Sequence, residues 1–591
     1  MMRDWFYEEV NTPAGITLPY FLTQLNTLWP DLESSRQVHV NSEEGVANTL
    51  ACWENPIRQR SPDIHWPSGS AFPAFMHEAD PDVVQDGVLP ISKGLMAILR
   101  TRPDMADYEV ATPAGRARLQ HWRLTLGCRE YRFLQFKPEE IAYLKAPGKA
   151  YGWLRKRLPR IANMLMVFYG GHPETQARLT AGEIDLMEKC WAETGSLLLE
   201  ALENAVVLHV DAPTGSPKLG TRNEHGINVV GFATGQFGVG EDARMATRVL
   251  SKAGLEPCVY EPPIPLASAH RQGGWIDLYL KAEPQSRVNF ITLPAVDTLR
   301  LFFLQQADVL AGRYNICGWQ WELPKWPQRW RGLMSIPDEI WAQSRYLHKM
   351  FSESTEKPVT YIPSAVDIPD FEEKPRSDFG IPKGPFAFLS VFDCNGWYQR
   401  KNPLAAVRAF QAAFGPSNRD VQLIVKMMNS RSEAPVHQEL MRLASQDSRI
   451  LIIDRFLSRS DMLALLNCAD VFVSLHRSEG FGRVVAECML MGKPVISTNY
   501  SGSLDFAHEG TAYVVNGPMI PLQKGDYADH EGQSWMDPDI GEAAKAMKRC
   551  VEDRLGTAEM ALRGQAFLQT HHSIEAVAKL YKKRLDQLGV F

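Results

Sequence analysis

Two glutamates eight residues apart, Glu479 and Glu487, flank the run Gly480-Phe481-Gly482 and are the residues best placed for chemistry in this chain. An apolar run from Asp470 to Leu475 precedes them and reads as a buried parallel strand. Arg483 to Met491 reads as a helix stopped by Gly492 and Pro494, and Val495-Ile496-Ser497-Thr498 begins another strand. In such a unit the two glycines let backbone approach a ligand, while the helix start offers free N–H groups and the positive end of its dipole. That suits a phosphate. Helical side chains lean toward the N-terminus, so Glu487 on the helix and Glu479 on the turn can face one pocket. Carboxylates beside a phosphate suit sugar hydroxyls, and the combination points to a sugar nucleotide. An ordinary strand–helix corner with two solvated glutamates is the alternative.

The segment resembles the donor-site signature of retaining glycosyltransferases of the GT-B fold, family 4 (group 1). The resemblance implies that Glu479 contacts the transferred sugar, that Glu487 holds the nucleotide ribose, and that Gly480, Phe481 and Gly482 line the donor pocket. It extends over about residues 226–591 and is most specific at 393–403 and 470–506. In the first of these stretches the family carries an arginine and a lysine that neutralise the donor pyrophosphate. Lys401 matches the lysine, whereas the arginine's place five residues earlier is taken by Gly396. Arg400 is then the substitute, or Asn395 together with backbone amides. Arg483 stands where relatives usually carry an apolar residue.

For the elements that must position these groups the resemblance implies a GT-B plan: α/β, two doubly wound Rossmann-like domains facing a cleft, preceded by a mainly helical region. Residues 1–220 are the helical accessory region and 225–366 the acceptor domain. Residues 367–385, rich in Pro, Gly and charge, are the linker and hinge. Residues 386–565 are the donor domain, and 566–591 a helix crossing back to the first domain. The acceptor domain opens with the strand Gly226–Phe232 and a loop bearing Gly235, Gly238 and Gly240. Glu261 closes the second strand, which keeps a dinucleotide-binding domain open as a rival, although the glycine spacing departs from that fingerprint. The resemblance places Gly238 and Gly240 beside the donor phosphates. Further on, Trp319, Trp321 and Glu322 form an aromatic loop suited to stacking on a sugar and binding a hydroxyl on the acceptor side. Interdomain packing is the alternative for the two indoles.

Composition bounds the rest. The chain has 591 residues, 45% hydrophobic and 22% charged, the balance of a soluble globular protein of several domains. A net charge of −6 gives no case for nucleic acid. Nine cysteines occur singly, with no zinc or disulfide spacing. No Asp-x-Asp pair ends a strand where a metal would sit, so no metal is expected. No run approaches the ~20 apolar residues of a membrane span, and the first residues lack a signal-peptide core. A cytoplasmic protein is expected, at the inner face of the membrane if the basic run Lys145, Lys149, Arg155, Lys156, Arg157 and Arg160 touches anionic lipid. A solvated face is the alternative for that run. The expected activity is transfer of a hexose from a nucleotide-diphospho-sugar, UDP- or GDP-linked, to a saccharide or lipid-linked saccharide in surface polysaccharide synthesis, with no further cofactor. The rivals are a nucleotide-binding scaffold without turnover, and a GT-B phosphorylase or epimerase.

Overall fold

The structure is a computed structural model that describes residues 6–29, 36–57, 72–86, 89–146, 223–264, 273–303, 307–430 and 434–590, with Leu32, Trp66, Asn163, Met164 and Val167. The chain divides into a first unit of residues 1–218 with 302–305, and a second of residues 219–301 with 306–591.

The described part of the first unit is mainly helical, with one short antiparallel hairpin, Glu9–Asn11 with Thr17–Pro19. Its helices start where the sequence supplies caps. Ser42 accepts from the Gly45 amide ahead of Glu43–Cys52, and Ser92 from Leu95 ahead of Lys93–Thr101. Thr112 and the first-turn Pro113 open Pro113–Trp122. Trp53, Phe21, Tyr131 and Phe133 fill the core, and beside them the fully buried Glu54 receives the Arg132 guanidinium at 2.6 Å. The basic run at 145–160 lies outside the described residues, apart from the backbone of Lys145 and Ala146.

The second unit holds two parallel six-stranded sheets, numbered here from its own start. The first half runs β1 (Asn223–Val230), α1 (Gly238–Lys252), β2 (Cys258–Tyr260), β3 (Ser286–Ile291), α2 (Ala295–Phe303), β4 (Tyr314–Cys317), β5 (Glu339–Ala342), α3 (Arg345–Ser352) and β6 (Val359–Tyr361). Its sheet order is β2-β1-β3-β4-β5-β6. Ile227, Val229, Phe290 and Ile316 are buried because helices cover both faces of a parallel sheet. A fully satisfied asparagine ladder crosses this core: Asn228 donates to Asn289 and Asn289 to Asn315, each at 2.8 Å.

The second half runs β7 (Phe386–Asp393), α4 (Tyr398–Lys401), α5 (Pro403–Ala413), β8 (Val421–Met428), α6 (Pro435–Gln446), β9 (Ile450–Asp454), α7 (Arg459–Cys468), β10 (Val471–Ser474), α8 (Arg483–Leu490), β11 (Val495–Thr498) and β12 (Tyr513–Val515). A two-stranded hairpin follows, β13 (Met519–Pro521) with β14 (Ser534–Met536), and then α9 (Ile540–Glu552) and α10 (Arg554–His571). The sheet order is β9-β8-β7-β10-β11-β12, the doubly wound order whose direction of growth reverses between β7 and β10. α5 and α9 cover one face; α7, α8 and α10 cover the other. Burying a side chain such as Phe388 between them contributes on the order of 2–3 kcal/mol.

The last helix, α11 (Ile574–Gln587), returns to the first half, where Val577, Ala578, Tyr581 and Leu585 join its core. The return occurs at His572, beside the outgoing strand: the Val366 amide donates to the His572 carbonyl at 2.9 Å. The linker differs from the expected hinge over 367–385. Phe379 and Ile381 are buried in the second half, and Arg376 is held by Asp470 at 2.7 Å. Pro and Gly made the backbone irregular there, but the apolar residues between them pin it down. The crossing between halves is confined to the neighbourhood of Ser364–Asp367 and His572.

Candidate active site

Loops after β7 and β10 leave the sheet at its point of reversal, where a crevice opens at the carboxyl ends of the strands. After β7 the chain makes a turn over Cys394–Gly396, then the single turn α4. α4 is bracketed by Trp397 (φ 58°) and Asn402 (φ 50°), both in the left-handed region. This brings Arg400 and Lys401 back toward the β10 loop. The Asn402 side-chain Nδ2 donates to the Leu475 carbonyl at 3.1 Å, and the Arg477 backbone amide to the Arg400 carbonyl at 2.7 Å, tying the two loops together.

After β10 the chain reaches Glu479, whose amide donates to Ser501 Oγ at 2.8 Å. Gly480 lies against the first half: a Cβ there would stand 2.6 Å from Gln320 Oε1, and its carbonyl accepts from Ser344 Oγ at 2.6 Å. Gly482, at φ 93°, turns the chain into α8. Phe481 is buried against Phe506 rather than open to the crevice.

The charged groups converge on Glu479. Lys401 Nζ lies 2.5 Å from one of its oxygens and an Arg400 guanidinium nitrogen 3.0 Å from the other. Burial pushes the Glu479 carboxyl up, but the Lys401 and Arg400 charges outweigh it and hold the pKa well below the usual range. Burial lowers Lys401, against the pull of Glu479. His476, buried with Ser474 Oγ at 2.9 Å and Ser503 Oγ at 3.3 Å, is lowered to about 4, mainly by burial. It is neutral at pH 7.

Arg400 sits where the sequence lacks an arginine. Its guanidinium donates to the Gly396 carbonyl at 3.2 Å and would stand 3.7 Å from a Cβ at that position. It also donates to the Ser478 carbonyl at 2.9 Å and lies 3.4 Å from Glu322. Its Nε is buried and has no hydrogen-bond partner among the described residues. Glu322 in turn accepts from the Tyr527 hydroxyl, on the excursion between β13 and β14. Tyr527, like Ser344 and Gln320, carries no local sequence signal; only the folded chain brings it here.

Other expected residues lie elsewhere or act differently. Trp319 and Trp321 are 0% and 4% exposed, stacked and edged against Trp326 and Trp330, with indole N–H groups spent on Thr298 Oγ1 and the Lys325 carbonyl. They are packing, and neither offers a face to a sugar. Glu487 is buried, with both oxygens taken by Arg459 of α7 at 2.7 and 3.1 Å. Arg459 lines a cavity of about 240 Å³ together with Glu241, Arg244, Trp275 and Leu463. Gly238 opens α1 with free space around it, and Gly240 packs against the Gly235 carbonyl too closely for any side chain. Glu261 accepts from the Thr234 amide at 2.8 Å and its hydroxyl at 2.7 Å, so it closes the glycine loop and is not presented to a ribose, against the dinucleotide rival. Arg483 pairs with Asp242 of α1 and donates to the Ala365 carbonyl at 3.2 Å. The Asn395 side chain lies outside the described residues.

Residues 393–530 match the family described as Glycosyl transferases group 1, and this stretch carries Lys401, Glu479 and Glu487. A D-inositol 3-phosphate glycosyltransferase of Arthrobacter sp. (strain FB24) is 30% identical over 195 residues, 31% of this chain and 44% of that protein. The chain therefore spans less than half the length of this curated relative. Among solved structures, sucrose-phosphate synthase from Thermosynechococcus elongatus is 15% identical with a TM-score of 0.47, covering 62% of this chain and 99% of that one. HepE of Anabaena in complex with UDP and glucose is 13% identical with a TM-score of 0.46, covering 62% and 100%. The second unit holds two Rossmann-like halves, and the second of them carries the match to Glycosyl transferases group 1.

Proposed function

We propose that the chain is a retaining glycosyltransferase that moves a hexose from a nucleotide-diphospho-sugar to a saccharide or lipid-linked saccharide, without a metal ion, in surface polysaccharide synthesis. The observation that carries this reading is the pair of cations, buried Arg400 and half-buried Lys401, meeting Glu479 at the switch point of the second sheet. Group transfer breaks the anomeric C–O bond, and the electron pair leaves with the diphosphate. Lys401 and Arg400 stabilise that growing charge, aided by the start of α8. Arg400 supplies through space what Gly396 lacks, its guanidinium standing 3.7 Å from where a Cβ at that position would be. The acceptor hydroxyl attacks the face the diphosphate leaves and gives its proton to a diphosphate oxygen, which conserves anomeric configuration and requires no separate base. Glu479 is assigned to the transferred sugar. Glu487, aligned by Arg459, is assigned to the ribose, with the base in the adjoining cavity.

Calorimetric titration with UDP, GDP, dTDP and ADP tests the reading. One nucleotide is expected to bind with micromolar affinity, weakened about tenfold or more by Lys401→Ala and by Glu487→Ala. Turnover by Lys401→Ala is expected to fall about 10²–10³-fold, as on loss of one oxyanion donor. No binding of any nucleotide by folded protein would leave a scaffold rather than an enzyme.

A further inference from the structure

The acceptor side of the crevice needs a surface for a sugar ring, and the buried Trp319 and Trp321 do not provide it. Trp397 does have an open face. It is 39% exposed and stands at the start of α4, three residues ahead of Arg400. Its ring is backed by Tyr527, with centroids 5.2 Å apart and planes at 40°. Tyr527 is buried, its other side lies edge-on to Trp321, and its hydroxyl is fixed on Glu322. The excursion that carries Tyr527 is itself anchored. Gln399 Nε2 donates to the Gly525 carbonyl at 3.0 Å, and Gln533 Nε2 to the Lys325 carbonyl at 2.7 Å. The indole is therefore a supported platform in a left-handed backbone conformation that a bulky residue adopts only at a cost. The Glu322 carboxylate, 22% exposed, lies between the Tyr527 hydroxyl and Arg400.

We propose that the open face of Trp397, backed by Tyr527 and bordered by Glu322, is the platform on which the acceptor saccharide stacks. Carbohydrate is the ligand class because a rigid aromatic face beside a carboxylate matches the apolar C–H face and the hydroxyl rim of a pyranose. The proposal rests on the transferase reading above. It adds that acceptor recognition is shared with the second half, through a residue of the same loop that holds Arg400 and Lys401.

The test titrates maltose, cellobiose and α-1,3-mannobiose by saturation-transfer NMR onto protein saturated with the nucleotide that binds in calorimetry. Wild type, Trp397→Ala and Trp397→Phe are compared. The expected result is millimolar binding of at least one disaccharide by wild type, about tenfold weaker in Trp397→Ala and largely kept in Trp397→Phe. Nucleotide affinity is expected to change less than twofold in both variants. Equal disaccharide affinity in wild type and Trp397→Ala overturns the proposal, as does the failure of all three to bind a nucleotide-loaded wild type. Failure of nucleotide binding by wild type overturns the transferase reading itself, which separates the two.

Discussion

Glu479 and His476 are three residues apart, and both are perturbed downward for opposite reasons. The Glu479 carboxylate is stabilised by Lys401 and Arg400 against its burial, so its contribution to stability is complete above the ordinary glutamate pKa and is lost as pH falls through the lowered one. His476 is lowered to about 4 because burial penalises its charged form. Between about pH 6.5 and 4 the unfolded chain takes up a proton at this histidine and the folded chain does not, so stability falls as pH drops through that window. From pH 7.5 to 5 the cost is about 2 kcal/mol. Urea unfolding of His476→Gln at pH 7.5 and pH 5 is expected to show a loss smaller than wild type by about that amount. An unchanged loss would mean that the folded protein already carries a charged imidazole. At this scale the sequence was legible where a motif is local. Glu479, Lys401 and the glycine turn stand in one strand–turn–helix unit and its neighbour, and they meet. Tyr527 and Arg459 arrive from distant segments and leave no mark in that motif. Trp319 and Trp321 misled because the aromatic type says nothing of which face the fold leaves open.

Among elements, α11 shows how a terminal helix is held on a distant sheet. Arg584 reaches the fully buried carboxylate of Glu339 on β5 with contacts at 2.8, 2.9 and 3.2 Å. Thr360 and Trp341 donate to the same carboxylate at 2.6 and 3.0 Å. Removing the cation leaves an uncompensated charge inside the sheet, which costs about 3 kcal/mol. Arg584→Met is therefore expected to lower the denaturation midpoint markedly, and Arg584→Met with Glu339→Gln to recover much of the loss. Equal midpoints for wild type and the single variant would show that the other donors suffice. Strands were the most legible elements, since parallel strands covered on both faces are short apolar runs; β9 and β11 begin and end where those runs do. The linker was the least legible, because Pro and Gly mark irregular backbone and not freedom. The buried contacts of Phe379 and Ile381 decide which half it belongs to.

At the scale of the molecule, specific polar groups join the two halves of the second unit. Ser344 donates to the Gly480 carbonyl, Asp505 accepts from the Arg345 amide and the Tyr361 hydroxyl, each at 2.9 Å, and Arg483 pairs with Asp242. The last of these is unusual in its placing. Arg483 is the first residue of α8, where a cation opposes the helix dipole, and Asp242 lies just past the first turn of α1. Asp242 therefore offsets a charge that α8 alone would disfavour, and in doing so draws the two helix starts together over the crevice. Both side chains are largely buried, so losing one partner strands the other. Arg483→Leu and Asp242→Asn are each expected to lower stability by about 3 kcal/mol and to weaken nucleotide binding. The double variant, with no charge left to strand, should regain most of the stability. It should not regain nucleotide affinity if the pair acts by holding the halves closed, because the tie between them is then still missing. Recovery of both stability and affinity in the double variant would reduce the pair to a buried charge and its counter-ion. Recovery of stability alone, read by calorimetry beside chemical denaturation, would make it a clasp between the halves.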